Sequence, residues 1–193
     1  MFLWSAASGS ESALADAWRM SAVFCAEMLS AFARYPAIIL LYAAPPATYR
    51  AWVLLRTKPV PSWWLPPLEM LVFVWRVFMC AVAIWVVLTP PEMDELRATV
   101  VSGASLLGTF ERLSTNAAMA IWPLFWEIVF FAAAFILLNW LFGLIARAWL
   151  LGQDLDYEQK LTQRKAMTAV IRNLLLVPLA LIYVVVVVRY ILA

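Results

Sequence analysis

Long apolar stretches alternate along this chain with short polar, charged or proline-rich ones, and the lengths of the apolar stretches set the expected architecture. Residues 128–146 contain no charged side chain, and neither do residues 173–188, which close on Val184 to Val188. Residues 77–91 are equally free of charge, and the same stretch reaches back to Pro66 if Glu69 and Arg76 are accommodated. A run of ~18 or more apolar residues is the length at which one helix crosses a ~30 Å hydrocarbon layer. The pattern predicts an all-α integral membrane protein with about four transmembrane helices, over residues 20–44, 67–89, 121–151 and 169–191. Shorter amphipathic, interfacial helices are predicted over residues 11–19, 92–120 and 154–168, and the whole chain, 1–193, reads as one membrane domain.

The first of the four segments carries Glu27 and Arg34. A charge near the centre of a membrane helix costs roughly 2.5–3.5 kcal/mol on insertion scales. The alternative for this region is an interfacial helix over residues 11–34 followed by a short re-entrant stretch from Tyr35 to Ala44. Residues 45–67, with Pro45, Pro46, Pro59, Pro61, Pro66 and Pro67, are expected to form a loop, because proline removes a backbone donor and clashes with the preceding turn. Proline in a first turn is permitted, so the second segment begins near Pro67 and stops at Thr89-Pro90-Pro91. In residues 92–120, Leu96, Val100, Leu107 and Phe110 recur at near-helical spacing among charged residues, the mark of a helix lying along a membrane or a partner. The third segment is longer than a bilayer needs, so tilt or an emergent end is expected, and Pro178 is expected to kink the fourth.

Composition agrees with the pattern. Hydrophobic residues make up 66% of the chain and charged ones 13%, against about 25% charged in soluble domains. The net charge of +2 gives no reason to expect nucleic acid. Histidine is absent, which removes the commonest zinc ligand and the usual haem ligand. Cys25 and Cys80 lie in apolar segments without ligand spacing and are expected to be small buried hydrophobes. Residues 1–18 lack a basic leader region and carry Glu11 and Asp16, unlike a cleavable signal. Counting Lys and Arg in the connecting stretches places the basic loops 45–67 and 147–172 on one side, cytoplasmic or matrix, with both termini opposite.

Charges inside a membrane segment are costly and need partners, and among those in the predicted spans Glu27, Arg34, Glu69, Arg76 and Glu127 are the candidate functional residues. The pattern Glu27-Met28-Leu29, four residues, Arg34 repeats as Glu69-Met70-Leu71, four residues, Arg76, and each copy is followed by a Pro-Pro pair. If adjacent spans run antiparallel, Glu27 meets Arg76 and Arg34 meets Glu69, two interhelical ion pairs that set register. Glu69 and Glu127 sit near segment starts, where a long side chain can snorkel to the interface. Asn139 is positioned for a hydrogen bond between helices. Arg50, Trp52, Arg56, Lys58, Trp63 and Trp64 form a cationic and aromatic cluster suited to a lipid headgroup, such as that of cardiolipin.

No phosphate loop, nucleophile triad or paired carboxylate signature is present. These features predict a non-catalytic accessory subunit of a larger complex of the bacterial or mitochondrial inner membrane, of respiratory, ATP-synthase or secretion type. Its partners would be other membrane subunits and lipid, and bound phospholipid its one expected non-protein group. The alternatives are a small ion-conducting component built on the intramembrane charges, and a scaffold docking soluble partners through its polar stretches.

Overall fold

The computed structural model describes residues 10–56, 63–102, 108, 111, 114–115 and 121–192. All elements among these residues are helical. They are α1 (Ser10–Arg34), α2 (Pro36–Leu55), α3 (Leu65–Val87), α4 (Pro90–Ser102), α5 (Ile121–Leu151), α6 (Tyr157–Ile171), a π-helical turn (Arg172–Leu176) and α7 (Val177–Leu192). Four helices are long and apolar enough to cross a membrane: Pro36–Leu55, Leu65–Val87, Phe125–Leu151 and Tyr157–Ile191. The number agrees with the sequence pattern, but two of the boundaries do not.

The expected span over residues 20–44 is cut at Tyr35. Proline at 36 has no N–H to return to the Phe32 carbonyl and disfavours the helical region for the residue before it. Tyr35 accordingly leaves the helix, at φ −135° and ψ 46°. The break falls where the interfacial alternative put it, yet the chain then forms a full helix of 20 residues in place of a short re-entrant stretch. α1 itself is not among the four helices of spanning length and composition.

α2 also runs through Pro45 and Pro46, which were expected to open a loop, and the connection shrinks to the few residues after Leu55. Pro46 deprives the Tyr42 carbonyl of its i+4 donor, and the Trp75 indole of α3 supplies one instead, Nε1 to O at 2.7 Å. Buried Ala43, Pro46 and Ala47 let the neighbouring helices approach.

The fourth span is likewise one rod with the amphipathic stretch before it. α6 passes into α7 through the π-turn, and Pro178 sits one residue past the first position of α7. A wider turn there removes the clash of the proline ring with the carbonyl four residues back, so the expected kink is met by a local change of pitch. Buried Asn173 donates its Nδ2 to the Ala169 carbonyl at 2.7 Å within this turn. Of the amphipathic stretch 92–120, the described part is α4 and the isolated positions 108, 111, 114 and 115.

The rod is the centre of the bundle. Its α7 half packs on α1 and α3, its α6 half on α2 and α5, while α1 also packs on α5 and α2 on α3. α2 and α3 run antiparallel, with Tyr35 beside Trp85 at one end, Tyr42 beside Trp75 midway and Tyr49 bonded to Glu69 at the other. The main core joins Phe24 and Ala31 of α1, Ile39 of α2, Ala83 and Val86 of α3 and Ile182, Tyr183 and Val186 of α7. Leu55 lies close to Trp149 and Gln163, so the two basic connections, after α2 and between α5 and α6, share one end of the bundle. Cys25 and Cys80, expected inside, are exposed. In an apolar bundle the outward faces are as apolar as the interior, so hydrophobicity alone does not assign a face.

Candidate functional site

Among the described charges, two interhelical ties and one buried carboxyl group stand out. In α1, Glu27 accepts a hydrogen bond from the Tyr190 hydroxyl at 2.8 Å and lies 3.5 Å from Arg189 Nη1. In α3, Glu69 accepts one from the Tyr49 hydroxyl at 3.2 Å and lies 3.5 Å from Arg50 Nη2. Both carboxylates of the repeated pattern are therefore held by an adjacent Tyr and Arg, Arg189-Tyr190 in one case and Tyr49-Arg50 in the other. The pairs expected from the repeat, Glu27 with Arg76 and Arg34 with Glu69, do not form, and neither Arg34 nor Arg76 makes an ion pair among the described residues. The break at Tyr35 is the reason: the expected pairing assumed one straight span next to α3, whereas α3 is paired along its length by α2.

The first tie extends further than the second. Arg189 also donates its Nε to Glu92 at 2.8 Å, and Glu92 Oε2 accepts the Thr89 N–H and hydroxyl, each at 2.7 Å. Thr89-Pro90-Pro91-Glu92 is a capping-box sequence, the acid reaching back to satisfy the open N–H of the residue that starts the helix. Burial pushes the Glu92 carboxyl up, but the Thr89 donors and the Arg189 guanidinium outweigh it and hold the group below its ordinary range. Arg189 thereby fastens α1, α4 and α7 at one end of the bundle.

Glu127 neither snorkels nor pairs with a cation among the described residues. It is only 2% exposed, accepts a hydrogen bond from Ser21 Oγ of α1 at 2.5 Å and another from the Tyr183 hydroxyl of α7. The Tyr183 ring stacks on Phe131 at 4.1 Å and meets the edge of Phe24. The carboxyl group joins three helices from inside an aromatic wall. Its place near a segment start suggested an interfacial position, but α1 lies across that start and covers it. Asn139 makes no interhelical bond through its carbonyl: Oδ1 is buried and unpartnered among the described residues.

At the opposite end from Arg189 lies the aromatic and cationic cluster. Arg56 stacks over Trp52 at 4.3 Å, Arg50 lies 5.9 Å from the Tyr49 ring, and Trp63 and Trp64 stand 4.7 Å apart. Trp52, Trp63 and Trp64 are all exposed, and Lys58 falls outside the described residues. Arg50 is partly occupied by Glu69, so within this cluster Arg56 is the described cation left for an external anion.

Of the residues that the sequence pattern did not single out, Thr89, Ser21, Tyr183 and Arg189 matter most. The capping box around Thr89 was readable as a T-x-x-E spacing. The hydroxyl partners of Glu127 carry no local signal, since they lie 106 and 56 positions away in the chain. No group of three or more Cys, Asp or Glu that could hold a metal ion occurs among the described residues. No protein-family model, curated protein or solved structure matches this chain.

Proposed function

We propose that the chain is a membrane-embedded packing subunit of a larger assembly in a bacterial or mitochondrial inner membrane, without catalysis of its own. The observation that carries this reading is α5. An apolar stretch of 18 residues within Phe125–Leu151 has no residue buried in the bundle. Ile128, Ile136, Leu137 and Trp140 all point outward from it. Such a face is covered by acyl chains and by the helices of neighbouring subunits. The space enclosed by α2, α3 and the rod is filled, with a void of only about 10 Å³ beside Ile39, Met79 and Ile182. A void of that size holds at most one water molecule, which supports a packing role over a passage.

Extraction of native membranes in mild detergent tests the assignment. The chain is expected to resist a carbonate wash and to migrate in a complex several times its own 21.8 kDa. A stable lone monomer would sink the reading. An ion-conducting component is the second reading, favoured by the buried Glu127 with its two hydroxyl partners. It requires that Glu127→Gln abolish proton flux in reconstituted vesicles, and flux that is absent from wild type or unchanged in the variant removes it.

A further inference from the structure

At the basic end, where α2, α5 and α6 come together, an open groove of about 370 Å³ is lined by Ala51 and Leu55 of α2, Trp149 of α5 and Ala166 and Met167 of α6, with Gln163 as its polar member. Small side chains make the hollow: Ala51 and Ala166 leave room where larger residues would close it. Leu55 and Trp149, both more than half exposed, form its walls.

We propose that this groove binds one acyl chain of an anionic phospholipid, whose phosphate is held at the mouth by Lys160 and Arg56. The proposal rests on membrane residence but not on membership of a complex. Three observations carry it. First, the length and lining suit an acyl chain. Gln163 to Ile171 spans ~12 Å of α6 at 1.5 Å per residue, and apart from Gln163 every lining residue is apolar. Second, cations adjoin the lining residues. Lys160 is half-buried on the same helical stripe as Gln163 and Met167, and Arg56 follows Leu55 and is held over Trp52 at 4.3 Å. Third, the surrounding end has an excess of positive charge. Arg50, Arg56, Arg147, Lys160, Arg164 and Lys165 stand against Glu69, Asp154, Asp156 and Glu158, a difference of two, and Glu69 is already occupied by Arg50. Each methylene buried from water adds to affinity, so the groove supplies affinity while the cations choose the headgroup.

Native mass spectrometry of the full chain, titrated in micelles with phosphatidylglycerol and separately with phosphatidylcholine, tests this. One phosphatidylglycerol per chain is expected to bind at least about tenfold more tightly than phosphatidylcholine, a difference of about 1.4 kcal/mol. Ala51→Trp fills the groove and is expected to abolish tight binding, as is Leu55→Trp, at an exposed position where folding is not at stake. Arg56→Gln with Lys160→Gln is expected to keep lipid binding while erasing the headgroup preference. Equal affinity for the two lipids overturns the proposal, as does tight binding that survives in the Leu55→Trp chain. Inorganic phosphate should not displace the lipid at millimolar concentration; displacement would show a simple anion site and overturn the acyl-chain assignment. Release of the chain by carbonate would instead remove membrane residence, an outcome separate from a chain that stays in the membrane and binds no lipid.

Discussion

The two copies of the Glu-Met-Leu-x4-Arg pattern share their letters and not their fate. After Glu69 the helix runs straight to Val87, whereas after Glu27 it stops at Arg34, turns at Tyr35 and restarts as α2. What separates them is one residue: Pro36 follows the first copy closely, and the second has no proline until Pro90. Each glutamate still ends up against an adjacent Arg and Tyr. The second tie joins only α2 to α3, while the first shares its arginine with Glu92 and so joins α1, α4 and α7. A repeated polar pattern thus finds the same chemistry in two settings, and the number of elements gathered around the cation decides its weight.

The largest effect is expected from Arg189→Ala. Removing one member of a buried ion pair costs about 3–5 kcal/mol. With the Arg189 side chain 33% exposed, screening reduces this to about 2 kcal/mol, read as a lower thermal midpoint of the detergent-solubilised chain. A loss no larger than that of Arg50→Ala would erase the distinction between the two ties. Next in size is Trp75→Phe, which strips the Tyr42 carbonyl of its replacement donor and should cost about 1–2 kcal/mol. In a Pro46→Ala background the restored N–H serves that carbonyl, so the same change should cost measurably less. Equal costs in both backgrounds would show that the indole does not compensate for the proline.

Arg50→Ala is expected to cost less than about 1 kcal/mol, the ordinary worth of an exposed pair, with Arg50 and Glu69 side chains 35% and 47% exposed. Acidification gives the smallest effect. Because the folded state holds the Glu92 carboxyl below its usual value of 4.5, its contribution is fully present above that value and is lost as pH falls through the lower, folded one. Wild type should therefore lose stability between about pH 5 and strongly acidic solution more steeply than Glu92→Gln does, and parallel pH profiles would remove Glu92 from the first tie.

Much of this molecule was legible from residue order. The apolar stretches of α3, α5 and α7, the helix stop at Thr89-Pro90 and the shared end of the two basic connections follow from runs, prolines and Lys/Arg placement, all of which act over a few neighbouring residues. The effect of Pro36 on Tyr35 is equally local, but the apolarity on both sides masks it. The partners of Glu27, Glu69 and Glu127 were not readable. Any hydroxyl or guanidinium in another segment was an equal candidate until the order of packing was known.

The amino-acid sequence by itself determined that the chain forms long apolar helices and which connections carry positive charge, because helix formation and hydrophobic length are properties of contiguous residues. Only the tertiary structure decided that prolines 45 and 46 remain inside a helix, that Glu127 is enclosed and that a groove opens beside Leu55. Each of those depends on a group from a distant segment: an indole to satisfy a freed carbonyl, a hydroxyl to meet a carboxyl, or two alanines facing one another across a gap.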